Sequence, residues 1–479
     1  MADRSEQTKG DQTAAHGAAQ DATWPFRDED GALRAEFVAL VEQAIDASDK
    51  ERLSALAGEM HKADLADLIE ALDADSRPRL VELMGDEFDF AALTEVPEHV
   101  RDEILEELPT ETVAEGVSEL ESDDAIALLE DLDRSEQEEI LEAMPAIERS
   151  ALRRSLDYPE NSAGRLMQTT LVAVPPFWTA GQALDHLREG DQEALPDSFF
   201  EIFVVDPGHR LLGNVFLDKL ARTPRSTPLD AIMQDRRHVR VTEDEEEVAR
   251  MFERYNIVSA PVVDEADRLV GVITIDDIVD VIQEAADEDI KALGGVNRRE
   301  ELTDPIFSVA RGRFVWLFVN LVTAFLASSV LGIFQGELQK MVALAILAPI
   351  VASQGGNAAS QTMTVAVRAL ATKEMSRANA ARIIFREFLV GGLNGLAFGI
   401  LTGIGAAVWF GLPALGFVIA AAMLTNLIAA AFGGILVPLA LERFRIDPAV
   451  SSGAFVTTVT DIVGYFSFLS FATLYFGLK

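Results

Sequence analysis

Cysteine is absent from the 479 residues, which excludes thiol chemistry, a disulfide frame and cysteine-ligated zinc. Histidine is scarce: six residues (His16, His61, His99, His186, His209 and His238), all ahead of the apolar region and without ligand-like spacing. Positive charge is short as well, with 40 Lys and Arg against 79 Asp and Glu. A polyanion requires a basic surface that releases counterions, so nucleic acid is excluded as a partner. Residues 1–22 contain no apolar run, so no signal peptide is expected there, and residues 1–31 read as a disordered cytoplasmic tail. No nucleophile–base pair, phosphate-binding loop or zinc motif occurs, and the expectation is that the chain is not an enzyme.

What is present is divided between two unlike halves. Residues 1–313 hold 73 acidic and 31 basic residues, a net charge of −42, whereas residues 314–479 carry +3. So acidic a domain favours cations as partners. Residues 32–156 repeat short amphipathic helical patterns, among them LADLIEALD (65–73), VRDEILEEL (100–108), AIALLEDLD (125–133) and EQEEILEAM (136–144), separated by Pro78, Pro97, Pro109 and Pro145. The pattern predicts a superhelical stack of α-helices with its acids facing outward.

Residues 157–284 change to an α/β pattern that occurs twice. Strand-like FFEIFVVD (199–206) and VSAPVVD (258–264) each end in Val-Val-Asp and lead to LLGNVFLDKL and LVGVITIDDI. These residues resemble a tandem pair of CBS domains, over about 164–229 and 230–284. The resemblance implies a regulatory module that binds adenosine nucleotides such as ATP between its copies, with Thr274 and Asp277 at the ribose. Read without it, Thr274 and Asp277 are a strand end and a helix cap. Residues 285–313 read as a connecting helix and linker.

Five apolar stretches of spanning length follow, at about 314–336, 341–366, 388–410, 412–441 and 450–477. Each reaches the roughly 20 residues a bilayer demands of a helix, which predicts an all-α membrane domain of five helices in contact with lipid. Arg311 and Arg313 precede the first; Arg368, Lys373, Arg377, Arg382 and Arg386 follow the second; Arg443 and Arg445 follow the fourth. The opposite loops offer only Lys340. The positive-inside rule then puts the N-terminus in the cytoplasm and the C-terminus outside.

Asp461 is the carboxylate near the middle of an apolar helix, where its insertion costs about 2.5–3.5 kcal/mol. Helical spacing puts Gly453, Thr457, Asp461 and Gly464 on one face. The second span holds Pro349 and then SQGGNAASQ (353–361), in which Pro and paired glycines are expected to free backbone carbonyls. With the Asn357 amide these offer oxygen ligands to a hard cation. One carboxylate does not neutralise a divalent ion, whereas a two-fold homodimer supplies two. Mg²⁺ keeps its waters, so a hydrated ion is expected.

Acidic helical domain, CBS pair, connecting helix and five spans with GGN and TxTDxxG motifs resemble, in this order, the MgtE family of magnesium channels. The resemblance implies a Mg²⁺ channel of the bacterial inner membrane, closed by cytoplasmic Mg²⁺, with its pore between the second and fifth spans of a homodimer. Asp461, Asn357, Gly356 and the Thr457 carbonyl would line the ion site, with Asn426 also facing the pore. Asp277, Asp280, Glu288, Asp289 and Asp447 would sense Mg²⁺, and Glu111 and Glu115 would face Asp277. Crowded carboxylates repel unless cations bridge them, which would make the acidic half compact only when the ion is bound. Two alternatives stay open: a proton-coupled divalent cation carrier in which Asp461 titrates, and a CBS-regulated membrane anchor that transports nothing.

Overall fold

The structure, a computed structural model, describes residues 26–478 except 30, 131, 191–194, 197, 236, 299, 301–304, 376–378 and 445. The tail expected over 1–31 falls almost wholly outside the described residues, as do Arg377 and Arg445. The chain divides into two compact units, one up to Val281 and one from Ile282.

The first unit opens with α1 (Ala35–Ala47), α2 (Lys50–Ala57), α3 (Lys62–Ala71) and α4 (Ser76–Met84). Then come α5 (Glu98–Glu107), α6 (Thr110–Glu119), α7 (Ser122–Leu129), α8 (Arg134–Ala143) and α9 (Ala146–Leu156). These last five begin 12 residues apart, and the letters carry the same period: Leu72, Met84, Val96, Leu108, Leu120, Leu132, Met144 and Leu156 are all apolar. Each period is a helix of about three turns, then an apolar residue turned into the core, then a cap. Pro97, Pro109 and Pro145 hold the cap position, where the fixed φ of proline suits a helix start. Asp133 and Glu136 form a reciprocal capping box on α8. One core runs through the whole stack, with Ile45, Leu53, Leu68, Ile69, Leu93 and Ile104 fully buried, each stabilising by roughly 1.5–3 kcal/mol.

After α10 (Ala163–Leu166) come β1 (Ala173–Val174), α11 (Ala180–Glu189), β2 (Glu201–Val205), β3 (Leu211–Phe216) and α12 (Leu217–Arg222). The second copy repeats the order with β4 (Val239–Arg240), α13 (Glu245–Tyr255), β5 (Ser259–Val263), β6 (Leu269–Thr274) and α14 (Ile275–Leu293). Each makes a three-stranded sheet, β1-β2-β3 and β4-β5-β6, with the first pair parallel and the second antiparallel. The repeated Val-Val-Asp has one structural cause in both copies. The register shifts between the two valines, and the Asp side chain then accepts the turn's N–H groups: Asp206 from Gly208 and Arg210 at 2.8 and 2.9 Å, Asp264 from Ala266 and Arg268 at 2.8 and 2.9 Å. Such Asx turns fix a tight hairpin.

The entry segments are exchanged between copies. Ala163 and Met167 pack in the core of the second copy with Val239 and Ile273, while Leu229, Ile232 and Met233 pack in the first with Val174 and Val204. A boundary near residue 230 therefore marks where the sequence repeats but not where the cores divide.

The helix after the second sheet runs unbroken from Ile275 to Leu293, because no Pro or Gly interrupts it; the connecting helix expected from residue 285 is the far end of this same element. The second unit then comprises α15 (Ile306–Ile333), a short α16 (Gln335–Lys340), α17 (Val342–Ala371), α18 (Ala380–Phe410), α19 (Pro413–Arg443) and α20 (Pro448–Phe476). Five of these are long and apolar enough to cross a membrane. Gly391, Gly395, Gly399 and Gly403 form a groove on α18 into which the α19 backbone settles: a Cβ at Gly399 would lie 2.8 Å from the Ala420 carbonyl oxygen, and one at Gly403 equally close to that of Gly416. Without a hydrophobic drive in lipid, such close backbone approach supplies the packing energy.

Candidate functional site

A cavity of about 500 Å³ opens between α15, α17, α20 and the end of α14. Asp461 lies in its wall with Asn320 and Thr323 of α15, Ser360 and Thr364 of α17, and Thr457 and Thr458 of α20. Asp461 is the charged group of this lining, set among hydroxyl and amide side chains and among Leu293, Trp316 and Met363. Its carboxylate has no hydrogen-bond or ion-pair partner among the described residues. Six waters around one ion occupy roughly 200 Å³ at about 30 Å³ each, so a hydrated Mg²⁺ fits the space. The Asp461 carboxylate with the Ser, Thr and Asn oxygens beside it suits a hard cation. Sequence reasoning missed α15: Trp316, Asn320 and Thr323 recur at spacings of four and three, a polar stripe on an otherwise apolar span.

The second span differs from expectation. α17 is helical throughout from Val342 to Ala371, so Pro349 and the glycines do not unwind it. The glycines serve packing instead. Gly355 and Gly464 make a seat for Asn426: a Cβ on them would come within 2.1 and 2.8 Å of its Nδ2. Asn426 is fully buried, donating Nδ2 to the Val351 carbonyl at 2.8 Å, while its Oδ1 has no partner among the described residues. It joins α19 to α17 and is not among the residues that line the cavity holding Asp461. Gly356 lies near Thr457, with its Cβ position 3.8 Å from Thr457 Cγ2. Asn357 is exposed on α17. The Thr457 carbonyl accepts the Thr460 hydroxyl at 2.9 Å, which occupies the oxygen expected to face an ion; the Thr457 hydroxyl donates to Gly453 at 2.9 Å and keeps its own lone pairs for the cavity.

In the first unit the acids gather where α7 meets the start of α14. Asp277 accepts the Thr274 hydroxyl at 3.0 Å and lies beside Asp123 of α7, whose Oδ1 is buried without a hydrogen-bond partner among the described residues. Burial, the Asp123 charge and neighbouring Asp276 push the Asp277 carboxyl up to about 8. Burial also raises Asp123, against the hydrogen bond from Gln168. Asp124 is pushed up to about 6 by burial and by Asp123, and Asp280 is raised by burial and Glu95. Lys62 pairs with Glu95 at 3.2 Å and also feels Asp124 and Asp280. Two buried carboxyls side by side disfavour each other's ionisation, and a shared proton or a cation relieves the repulsion. Asp123 therefore holds the place expected of Glu111 and Glu115, which are exposed on α6.

The remaining acids lie in the second unit. Glu288 on α14 accepts Arg298 at 2.9 Å. Asp447 caps α20, accepting the Ala449 N–H at 2.7 Å, and pairs with the same Arg298. Asp289 follows Glu288 on α14, half-buried. Among the described residues no group of three or more carboxylates or histidines is arranged to hold a metal ion.

The cleft between the sheet copies is lined by Leu171, Phe199, Phe203, Val272 and Thr274 and leaves about 20 Å³ free, against the several hundred a nucleotide requires. Among the described residues no Lys or Arg lines it, and the Thr274 hydroxyl is engaged by Asp276 and Asp277. As arranged, these residues do not fit ATP.

Comparison with known proteins places these features together. The family model described as a divalent cation transporter matches residues 348–471, the MgtE intracellular N domain matches 60–161 and a CBS domain matches 230–284. The magnesium transporter MgtE of Thermus thermophilus is 31% identical over 456 residues, covering 91% of this chain and 97% of that protein. That of Bacillus subtilis is 30% identical over 361 residues, covering 75% and 80%. Among solved structures, the cytosolic domain of the Mg²⁺ channel MgtE in complex with ATP is 29% identical and covers 51% of this chain and 99% of its own, with a TM-score of 0.47. A chain with these three domains in this order, and this likeness along nearly its whole length, belongs to the MgtE family of magnesium transporters.

Proposed function

We propose that this chain carries Mg²⁺ across a bacterial cell membrane through a pathway centred on Asp461, as a homodimer with its N-terminus in the cytoplasm and its C-terminus outside. One observation carries the reading: an uncompensated carboxylate faces a cavity that has hydroxyl and amide side chains in its wall and is large enough for a hydrated divalent ion. A carboxylate at that depth is costly unless a cation meets it. A second copy would double the charge, and the exposed Asn357 and Gly356–Thr457 surface is where it would contribute. Arg368 at the end of α17, Lys373 after it, and Arg382 and Arg386 at the start of α18 support the orientation. An MgtE chain of this kind is a transporter.

Regulation follows from the acids at the joint of α7 and α14. Asp123, Asp277, Asp124 and Asp280 form a sensor that cytoplasmic Mg²⁺ closes: the ion replaces the shared proton, neutralises the pair and holds the joint compact. α14 is one continuous helix into the second unit, where Leu293, Gly294 and Gly295 line the Asp461 cavity, so the state of the joint can reach the pathway. The coupling equals the difference in ion affinity between closed and open states.

Mg²⁺ entry into liposomes tests the pathway. Asp461→Asn should reduce it at least tenfold without loss of folding, and wild-type entry should not depend on a proton gradient. Equal entry through the Asn variant would remove the basis of the proposal; dependence on the gradient would favour the carrier.

A further inference from the structure

The end of α14 is already seated in the membrane unit by packing. Ala292 is 1% exposed and shares a cluster with Ala359, Met363 and Val456. Beyond Gly294 and Gly295 the chain turns back, and the guanidinium of Arg298 reaches two carboxylates at once. Its Nη1 donates to Glu288 Oε2 at 2.9 Å, and its Nη2 pairs with Asp447 Oδ2. The other oxygen of Asp447 is committed to the N–H of Ala449. Asp447 is thereby fixed at the first turn of α20, the helix that carries Asp461 about 21 Å further on, at 1.5 Å per residue.

We propose that Arg298 is a resident cation at this joint and a positioning residue for transport: it ties the connecting helix to α20 whether or not Mg²⁺ is bound. A planar guanidinium with several N–H donors bridges two carboxylates well. Without it, Glu288 and Asp447 would face each other as like charges and push the helix end away unless a divalent ion came between them. With it, the pair is satisfied internally, and closure depends on Mg²⁺ only through the acids of the first unit. Arg298 thus sets how far the pathway stays open when cytoplasmic Mg²⁺ is absent. The inference rests on the proposed closure by cytoplasmic Mg²⁺.

Current recorded from excised patches of the full-length protein, with Mg²⁺ as the carried ion and the cytoplasmic face perfused, separates the two ideas. In Mg²⁺-free cytoplasmic solution Arg298→Gln should raise the current about two- to fivefold, the range expected for a partly exposed ion pair. Arg298→Lys should restore part of the low baseline. Asp447→Asn, which keeps the helix cap because Asn caps as well as Asp, should raise the baseline like Arg298→Gln, and the double variant should add nothing further. Saturating Mg²⁺ should still close Arg298→Gln, because the ion can then fill the vacated pair. An unchanged Mg²⁺-free baseline in both single variants, with wild type still closing, would overturn the role of Arg298 alone. A wild-type current indifferent to cytoplasmic Mg²⁺ would instead overturn the closure on which it rests.

Discussion

The carboxyl pair at the α7–α14 joint makes Mg²⁺ sensing depend on pH in a calculable way. Asp277, pushed up to about 8 by burial, Asp123 and Asp276, holds a proton at neutral pH that an arriving Mg²⁺ must expel. Between pH 6 and 8 the apparent Mg²⁺ affinity should rise up to tenfold per pH unit, about 1.4 kcal/mol each, and level off above about 8. Asp124, at about 6, would extend the slope to lower pH. Without Mg²⁺ the sign reverses. The folded joint binds the proton more tightly than the unfolded chain, so its stability is greatest at low pH and falls as pH climbs from about 4 to 8. Protease protection of the full-length chain, titrated with Mg²⁺ at pH 6, 7 and 8, reads both trends. Asp277→Asn should flatten the slope and weaken protection by Mg²⁺ while making the Mg²⁺-free joint more resistant at pH 8. Equal Mg²⁺ midpoints at pH 6 and 8 in the wild type would refute the shared proton.

Two packing predictions follow from glycine. Gly399→Val places carbon against the Ala420 carbonyl and should destabilise the membrane unit by roughly 1–3 kcal/mol in a detergent unfolding titration; Gly405→Val, with open space around it, should have little effect. Gly355→Ala should be disruptive because of Asn426, and adding Asn426→Ala should recover much of the loss, leaving about 1 kcal/mol for the missing hydrogen bond to Val351; failure of that rescue would show that the glycine serves something other than the amide.

Much of this protein is determined by local pattern. A bilayer demands some 20 apolar residues per helix, so the five spans follow from composition, and the cost of a carboxylate in lipid singles out Asp461 before any coordinates are seen. The paired α/β units are legible because both copies repeat Val-Val-Asp, and the Asp closes the same turn each time. The 12-residue period of the acidic stack is also written in the letters, from Leu72 to Leu156. Tertiary structure alone decided what lies opposite what. Two-residue strands such as β1 and β4 have no periodicity to recognise and exist only through pairing with β2 and β5. The exchange of entry segments, Asp123 in place of Glu111 and Glu115, and Arg298 bridging residues 288 and 447 all join positions far apart in the chain. In α17, Pro349 and the glycines suggested a broken helix, yet lipid leaves unpaired backbone no solvent, and the small residues proved to be room for Asn426. Helix content and depth depend on a residue's neighbours in sequence, whereas a site depends on which faces of separate helices meet, and only packing settles that.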